Sequence, residues 1–432
     1  MVEIIKNAWK TPDLRKKMLY TVMLLIIFRF GAVITVPGVD PEMLREVFRL
    51  GGGSGTLFDI MNMMSGNALG QASIFAMGIS PYINASIIMQ LLTVAIPYLE
   101  RLQKEGDEGR KKIAQYQRYG TVVLAVVQAL GLYFMLQRGG ALAVSGWDNA
   151  LVIITTLTAG TAFLMWLGEQ ITEKGVGNGI SLIIFAGIVS GIPRMAVSLW
   201  ANTVQSGTYG IVGLVAILAI GLAVLMLVVA MNEAERRIPV QYAKRQVGRK
   251  TYGGQSSHIP IKVAAAGVIP VIFAMSIMSF PSTISAFFGV QAGGDAGGWW
   301  AKVLGLISQT SPIYALIYAI MIIFFTYFYV AIQYNPVEMA NNMKKNGGFI
   351  PGIRPGRPTS DFIMKVLNKI TLGGAIFLAF IATFPIIIAG VMKLGAFSIG
   401  GTSLLIVVGV ALETVKQIES QMVMRHYKGF LE

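Results

Sequence analysis

Cysteine is absent from the 432-residue chain, and histidine is limited to His258 and His426. The chain therefore has no internal disulfide, no thiol nucleophile and no thiolate to bind a metal, and two imidazoles are too few for an ordinary zinc or iron centre. Charged residues are also scarce, because they make up 13% of the chain against about 25% in a soluble domain. Hydrophobic residues reach 54%, and this balance predicts a protein that spans a membrane several times.

Catalytic signatures are missing as well. The chain contains no HExxH, P-loop or GxSxG sequence. Glu169 and Glu173 have no His or Asp nearby in the sequence with which to form a catalytic set. We therefore predict that the chain is not an enzyme and needs no cofactor.

Long apolar stretches predict an all-α integral membrane protein with ten spans, because an open sheet cannot satisfy its backbone in lipid. No cleavage pattern follows the first apolar run, so we expect this run to be retained. Most of the 35 Lys and Arg residues fall on the side of the termini, which predicts that both termini are cytoplasmic. The formal charge of +14 then suits anionic lipid, with nucleic acid a lesser alternative. The predicted spans are 18–36, 73–97, 120–137, 151–168, 179–199, 211–231, 264–289, 312–333, 371–392 and 402–424.

A short apolar segment from Leu57 to Met64 precedes the second span. About eight to ten helical residues reach roughly 12–15 Å, against a hydrocarbon core of roughly 30 Å. The segment is therefore expected to enter the membrane and return, or to lie buried within the protein. Membranes tolerate such a piece only where protein or a water-filled cavity surrounds it.

The second predicted span is apolar but contains Asn84, Ser86 and Gln90. Ile79 and Ile83 are four residues apart, so they share one face of a helix. An apolar face with a few polar groups indicates contact with something other than lipid. Ordinary helix packing is an equal alternative.

Charge inside the predicted spans is almost confined to Arg29, since Glu413 and Lys416 lie toward a cytoplasmic end. A transporter coupled to protons or ions normally carries carboxylates within the membrane, because a charge there is costly and marks a pathway. We expect Arg29 to pair at a helix interface or to reach toward the membrane surface, rather than to line a path.

Two predicted cytoplasmic loops, 232–262 and 334–370, are too long and too basic to be simple connectors. Their aromatic residues and turn formers, as in TYGGQSSHIP and GGFIPGIRPGRP, indicate fixed shapes. Such loops suggest a docking surface for a cytosolic partner rich in RNA phosphate or acidic side chains. The alternative is that they cap the helices and follow the positive-inside rule. The candidate docking residues are Arg236, Arg237, Lys244, Arg245, Arg249, Lys250, Arg354 and Arg357.

The ten spans divide into two sets of five, which predicts an amino-terminal half over residues 1–200 and a carboxyl-terminal half over 201–432. An odd number of spans in each half places the halves in opposite orientations, and the functional path then lies between them. Pro270 and Pro281 are expected to interrupt the seventh span. These features predict a channel or a transporter with a cytosolic partner, without naming the cargo.

Several longer motifs, in one order along nearly the whole chain, resemble the bacterial SecY family, the central subunit of the general protein-translocation channel. The matching stretches are IFAMGISPYINASIIMQLLT (74–93), KEGDEGRKKIAQYQRYGT (104–121), FLMWLGEQITEKGVGNGISLIIFAGIV (163–189), YAKRQVGRKTY (242–252), AAGVIPVIFA (265–274), FIPGIRPGRPT (349–359) and GGTSLLIVVGV (400–410).

The resemblance implies two inverted five-helix halves around an hourglass pore, with a lateral gate to lipid between the second and seventh spans. It also implies a short re-entrant helix, the plug, over residues 56–66. β-Branched side chains at the constriction would form a narrow, dry collar that resists ions and deforms around a polypeptide. The implied plug residues are Leu57, Phe58, Ile60, Met61 and Met64, and the implied ring residues are Ile79, Ile83, Ile180, Ile184, Ile272 and Ile406.

At the implied lateral gate, Gln90 matches a polar position, while Ala264 stands where many bacterial relatives have asparagine. The gate is therefore expected to be less polar on one side. Among the basic loop residues, Arg354 in the GIRPG turn is the strongest docking candidate. The implied partners are a SecA motor ATPase, the ribosome, SecE-like and SecG-like small membrane subunits, signal peptides, unfolded polypeptides and anionic lipids.

The implied function is that of a passive pore driven by a partner. It translocates unfolded secretory polypeptides across the bacterial plasma membrane and releases membrane segments sideways into it. The alternative from the residues alone is a secondary transporter for small solutes. That alternative requires substrate ligands and coupling carboxylates near the membrane midplane, which the predicted spans lack.

Overall fold

The computed structural model describes a mostly helical chain over residues 2–44, 62, 65–142, 146–201, 210–242, 245–247, 250–252, 256–288, 311–392 and 401–428. The helices are α1 (Val2–Lys10), α2 (Pro12–Gly31), α3 (Ser80–Ala95), α4 (Pro97–Lys104), α5 (Asp107–Arg138), α6 (Trp147–Lys174), α7 (Gly179–Trp200), α8 (Gly210–Glu233), α9 (Ile269–Phe288), α10 (Pro312–Gln333), α11 (Pro336–Lys345), α12 (Arg357–Met392) and α13 (Gly401–Lys428). The strands are β1 (Glu235–Tyr242), β2 (Arg245–Val247), β3 (Lys250–Tyr252), β4 (Ser256–Lys262) and β5 (Gly348–Phe349).

Each of the ten predicted spans overlaps a helix of this set. By length and composition, five apolar segments among the described residues are able to cross a membrane, and the bent pair of α3 and α4 makes a sixth. The five segments are Asp107–Arg138, Trp147–Lys174, Ile211–Glu233, Ile313–Lys345 and Arg357–Phe384. Several apolar helices are thus established, and the full count of ten spans stays a prediction.

The second and seventh spans begin later than predicted. Helix α3 starts at Ser80 rather than at residue 73, because Gly78 takes a left-handed φ of 56° and Pro81 occupies the first helical turn. Helix α9 starts at Ile269 with Pro270 in its first turn. The expectation that Pro270 interrupts the span is therefore wrong, since proline is tolerated where no intrahelical N–H bond is lost. Pro281 does lie inside the helix.

The two basic loops that were predicted to be cytoplasmic contain β-structure, so the prediction of an all-α chain is wrong for them. Strands β4, β1 and β5 form one antiparallel sheet in that order, with Ile238 opposite Ile259. Along β1, buried Ile238 and Val240 alternate with exposed neighbours, as expected of a strand that covers an apolar core on one side. Because β5 comes from the second basic loop, the sheet joins both loops into a single body.

Helix α6 packs closely against neighbouring backbone through glycines. A Cβ atom added to Gly160 would lie 2.0 Å from the carbonyl oxygen of Ile74, in the turns before α3. A Cβ atom added to Gly168 would lie 2.4 Å from the Ile180 side chain on α7. These two glycines therefore set the distance of α6 from the elements that carry Ile79 and Ile180.

We expect Gly160→Ala to destabilise the chain by about 1–3 kcal/mol, because the new methyl group meets backbone that cannot move without shifting the turns before α3. Thermal unfolding in mild detergent measures the loss. Gly221→Ala on α8 is the matched control, since no atom lies within 4 Å of its added Cβ. Equal unfolding temperatures for the two variants would contradict the close packing.

Candidate functional site

Six isoleucines, five on four helices and Ile79 just before one of them, lie in or against the largest apolar core of the described chain. Ile79 and Ile83 are brought there by α3 and the turn before it, and the backbone N–H of Ile83 donates to the carbonyl of Ile79 at 3.0 Å. Ile180 and Ile184 lie one turn apart on α7. Ile272 on α9 and Ile406 on α13 complete the set.

Burial is uneven within this set, which we call the isoleucine ring. Five members are 1–7% exposed, whereas Ile180 is half-buried and packs against the cluster from its edge. Both predicted halves contribute, since α7 contacts α13 and α3 contacts α9.

Gly409, one turn after Ile406, allows α13 to approach Val268, the residue just before α9, closely. A Cβ atom added to Gly409 would lie 2.6 Å from the Val268 side chain. Glycine therefore lets Ile406 reach the ring from the second half of the chain.

The predicted plug residues lie outside the described residues. These residues are Leu57, Phe58, Ile60, Met61 and Met64. The described neighbours Asn62 and Ser65 begin a tight turn, in which the Ser65 hydroxyl donates to the carbonyl of Asn62 at 3.0 Å.

The predicted lateral gate lies where α3 and α9 contact each other. The amide Nε2 of half-buried Gln90 donates to the Ser86 hydroxyl at 3.3 Å, so this polar group is satisfied within its own helix. Ala264 is buried before α9, and its carbonyl accepts from the N–H of Gly267 at 3.0 Å. The side-chain oxygen of buried Asn84 has no hydrogen-bond partner among the described residues.

The two basic loops share an apolar core of their own, beneath the three-stranded sheet. This core holds Ile238 and Val240 of β1, Met343 of α11 and Ile363 of α12. The loops are therefore one folded body, which we call the sheet domain. The sequence predicted a docking surface from these two loops, but not that they share a sheet and a core.

The docking candidates occupy different parts of this domain. Arg236 and Arg237 are exposed on β1, and Arg237 Nε donates to Glu235 at 2.7 Å. This hydrogen bond from Arg237 lowers the pKa of Glu235. Arg245 and Lys250 lie on β2 and β3, which pair as a separate hairpin. Lys244 and Arg249 lie outside the described residues.

Arg354 is exposed in a turn that glycines shape on both sides. Gly352 and Gly356 take left-handed φ values of 82° and 108°, which favour glycine. The hydroxyl of Thr359 donates to the Arg354 carbonyl at 2.9 Å, and Arg357 then opens α12 with its side chain exposed. The Arg354 side chain is thus presented outward from a fixed backbone.

Glu169 and Glu173, the carboxylates considered for catalysis, lie near the end of α6. Arg118 Nε donates to Glu169 Oε1 at 2.7 Å, so this carboxylate is paired. The described residues contain no cluster of three or more His, Asp or Glu residues able to hold a metal ion.

Comparison with known proteins decides between the two classes left open above, a protein-conducting channel and a transporter for small solutes. A family model for SecY matches residues 73–415. The chain belongs to the SecY family. The protein translocase subunit SecY of Streptomyces galbus is 47% identical over 446 residues, and that of Halalkalibacterium halodurans is 48% identical over 440 residues. Each alignment covers 100% of both chains.

Solved channel structures share the SecY fold of the chain. One is of the SecY protein whose plug domain stabilises the closed state of the translocation channel and maintains a membrane seal, with a TM-score of 0.65 and 21% identity. Another is of Sec61 in the canine ribosome–channel complex from the endoplasmic reticulum, with a TM-score of 0.60 and 18% identity. Each covers 94% of this chain and 92% of the other.

As a SecY-family member, the chain is a channel subunit of the protein translocase and is not itself an enzyme. The contact between α3 and α9 was predicted only through the resemblance. The partner of Arg29 was not predicted: its Nη1 donates to the carbonyl of Gly66 at 2.8 Å. The only sign of this contact in the sequence is that Gly66 lies between two polar residues, Ser65 and Asn67.

Proposed function

We propose that the isoleucine ring closes the pore through which unfolded polypeptides pass. The observation that carries the proposal is that residues from both predicted halves, 1–200 and 201–432, meet in one apolar cluster. A collar of branched apolar side chains seals against ions at rest and yields to a polypeptide. On this proposal the ten spans form two inverted halves, with the pore between them.

Segment 56–66 is proposed to plug the outer side of the closed pore. Support comes from its length, which is too short to cross a bilayer, and from the related channel whose plug domain maintains a membrane seal. The contact between α3 and α9 is proposed as the lateral gate, with Gln90 and Ala264 on its two sides. Separation of these helices would open a route from the pore into lipid.

The sheet domain is proposed to lie on the cytoplasmic side and to dock the motor or the ribosome that drives translocation. Its exposed arginines suit RNA phosphate and acidic side chains, and a Sec61 channel of the same fold is found in a ribosome–channel complex. We further propose a SecA ATPase, SecE-like and SecG-like small membrane subunits, signal peptides and anionic lipids as partners. The proposed location is the bacterial plasma membrane, with both termini cytoplasmic.

Site-specific cross-linking tests the pore assignment, because the chain has no cysteine of its own. A secretory polypeptide carrying one cysteine is arrested during translocation, and cysteine is introduced singly at Ile83 or Ile184. We expect disulfide formation with the polypeptide at both positions, since a chain in the pore must pass the ring.

Val212→Cys on α8 is the matched control, because Val212 is exposed on a highly apolar helix away from the ring. It should not cross-link to the arrested polypeptide. Cross-linking at Val212 but not at Ile83 or Ile184 would rule out the ring as the pore.

A further inference from the structure

Ile180, the half-buried member of the isoleucine ring, rests its side chain against α6 at Gly168. A Cβ atom added to Gly168 would lie 2.4 Å from Ile180 Cδ1 and 3.2 Å from Ile180 Cγ1, and its next neighbour is the backbone nitrogen of Ile180 at 3.5 Å. The outermost carbon of Ile180 therefore occupies space that the side chain of any other residue at position 168 would fill. We call this space the Gly168 notch.

The backbone has no room to adjust where α6 and α7 cross. A Cβ atom added to Gly179, the first residue of α7, would lie 1.9 Å from the carbonyl oxygen of Gly168. The Thr172 hydroxyl donates to that carbonyl oxygen at 2.9 Å and accepts from the N–H of Gly179 at 2.9 Å. One hydroxyl thus joins the two helices directly before Ile180, so the start of α7 is fixed relative to α6.

Helix α6 is held in place as well. Leu167 and Ile171, on either side of Gly168 along the helix, are completely buried in the largest apolar core. Because such interiors are close-packed, moving these side chains would lose many contacts. A methyl group added at position 168 is therefore expected to displace the tip of Ile180, by about 1–1.5 Å if an ordinary carbon–carbon distance is to be restored.

The direction of that displacement follows from what surrounds Ile180. Its side chain has α6 on one side and the apolar cluster of the ring on the other. It is also partly exposed, so unfilled space borders it. A tip pushed out of the Gly168 notch moves away from α6, toward the cluster and the space beside it.

We propose that Gly168 is a positioning residue that sets the width of the pore by giving the tip of Ile180 a place outside it. The inference rests on the proposed role of the isoleucine ring as the constriction of the pore. With glycine at position 168, the Ile180 side chain leans into the notch and leaves room for a passing polypeptide. With a larger residue, the same side chain projects toward the other ring members, and the widest cargo is excluded first.

Transport of a looped polypeptide measures this width. A secretory polypeptide with one pair of cysteines is translocated by the motor ATPase into proteoliposomes that contain the channel. The disulfide either closes a short loop that the wild-type channel still passes, or is reduced to give a linear chain. The channel has no cysteine, so the reductant leaves it unchanged.

Gly168→Ala should lower the ratio of looped to linear polypeptide transported by about tenfold, the lower end of the discrimination that one carbon gives in an apolar site. Combining Gly168→Ala with Ile180→Val should recover most of this ratio, because valine lacks the Cδ1 atom that the new methyl group would meet. A wild-type ratio in Gly168→Ala, or no recovery in the double variant, would overturn the proposal.

Gly120→Ala on α5 is the matched control for alanine at a contact between helices. Its added Cβ atom would make only an ordinary contact, at 3.8 Å from the Cβ atom of Ala85 on α3. It should keep the wild-type ratio of looped to linear transport. An equal loss of looped transport in Gly120→Ala and Gly168→Ala would refute a specific role for the notch.

Ile180→Ala shows whether the ring itself is assigned correctly. If Ile180 borders the pore, this variant should raise the ratio of looped to linear transport, because it removes the side chain beyond Cβ. A raised ratio, together with wild-type behaviour of Gly168→Ala, refutes the notch and keeps the ring. An unchanged ratio in Ile180→Ala shows that position 180 lies outside the pore, and it overturns both.

Two backgrounds keep the test decisive if Gly168→Ala fails to accumulate by itself. With Ile180→Ala, no atom beyond Cβ remains to meet the new methyl group, so adding Gly168→Ala should not lower the ratio further. With Ile180→Val, a γ-carbon remains near the Cγ1 position, 3.2 Å from the added Cβ, so adding Gly168→Ala should still lower the ratio. A fall in the alanine background, or equal ratios in the valine background, would overturn the proposal.

Discussion

Channels that carry Ile83→Asn together with Ile184→Asn are expected to conduct small ions at rest, while the amount of protein in the membrane stays near normal. Two amide side chains in the isoleucine ring bind water where the wild-type collar excludes it, and hydrophobic gating depends on that exclusion. Single-channel recording in planar bilayers, alongside quantification of the protein in membranes, measures both effects.

A matched pair of buried isoleucines outside the ring provides the control. Ile153 on α6 and Ile322 on α10 are completely buried, so asparagine at both positions should destabilise the chain by about 1–3 kcal/mol each and lower its abundance without any conductance. If the ring variant behaves in the same way, scarce and tight, Ile83 and Ile184 are core residues and the pore assignment is wrong.

Arg354→Glu, which reverses the charge of an exposed turn of the sheet domain, should reduce partner-driven secretion by about tenfold while leaving insertion and folding of the chain intact. The side chain is exposed, so its loss removes no packing. The new carboxylate repels the acidic or phosphate-rich surface that the arginine would attract. Secretion of a reporter, measured separately with the motor ATPase and with ribosome-coupled substrates, shows which partner uses the turn.

Lys112→Glu, an equal charge reversal on an exposed position of α5, is the control and should secrete normally. Wild-type secretion by Arg354→Glu with both partners would contradict the docking role of the turn. A low protein level in Arg354→Glu would instead show that the turn stabilises the fold.

Helix positions were largely predictable because long apolar stretches leave few alternatives in a membrane. The residues at which the helices start were less predictable. The start of α3 depends on the left-handed backbone of Gly78 and on Pro81, and hydropathy does not report either feature. Ile238 and Val240 alternate with Arg237, Pro239 and Gln241, a pattern typical of a strand, but no strand was predicted from it. The pairing of β1 with β5 could not be foreseen, since the two strands come from separate loops and share only two residue pairs.

The six isoleucines of the ring could not be chosen from composition, because isoleucine is abundant throughout the spans. Resemblance to a family selected them, and the structure brings them into one cluster. Arg29, in contrast, could be singled out from the sequence as a charge within a predicted span. Its position predicted pairing at a helix interface or reach toward the membrane surface, but its partner is a backbone carbonyl, which the sequence does not reveal.

The pairing of β1 with β4 and β5 has a mechanical consequence. Strands β1 and β4 are joined at their base by a hydrogen bond from the N–H of Val263, which follows β4, to the carbonyl of Ala234, which follows α8. Strand β5 connects the same sheet to the turn at Arg354. We therefore expect a force applied to that turn to reach the segment that leads into α9 through paired strands, whereas two independent loops would bend separately.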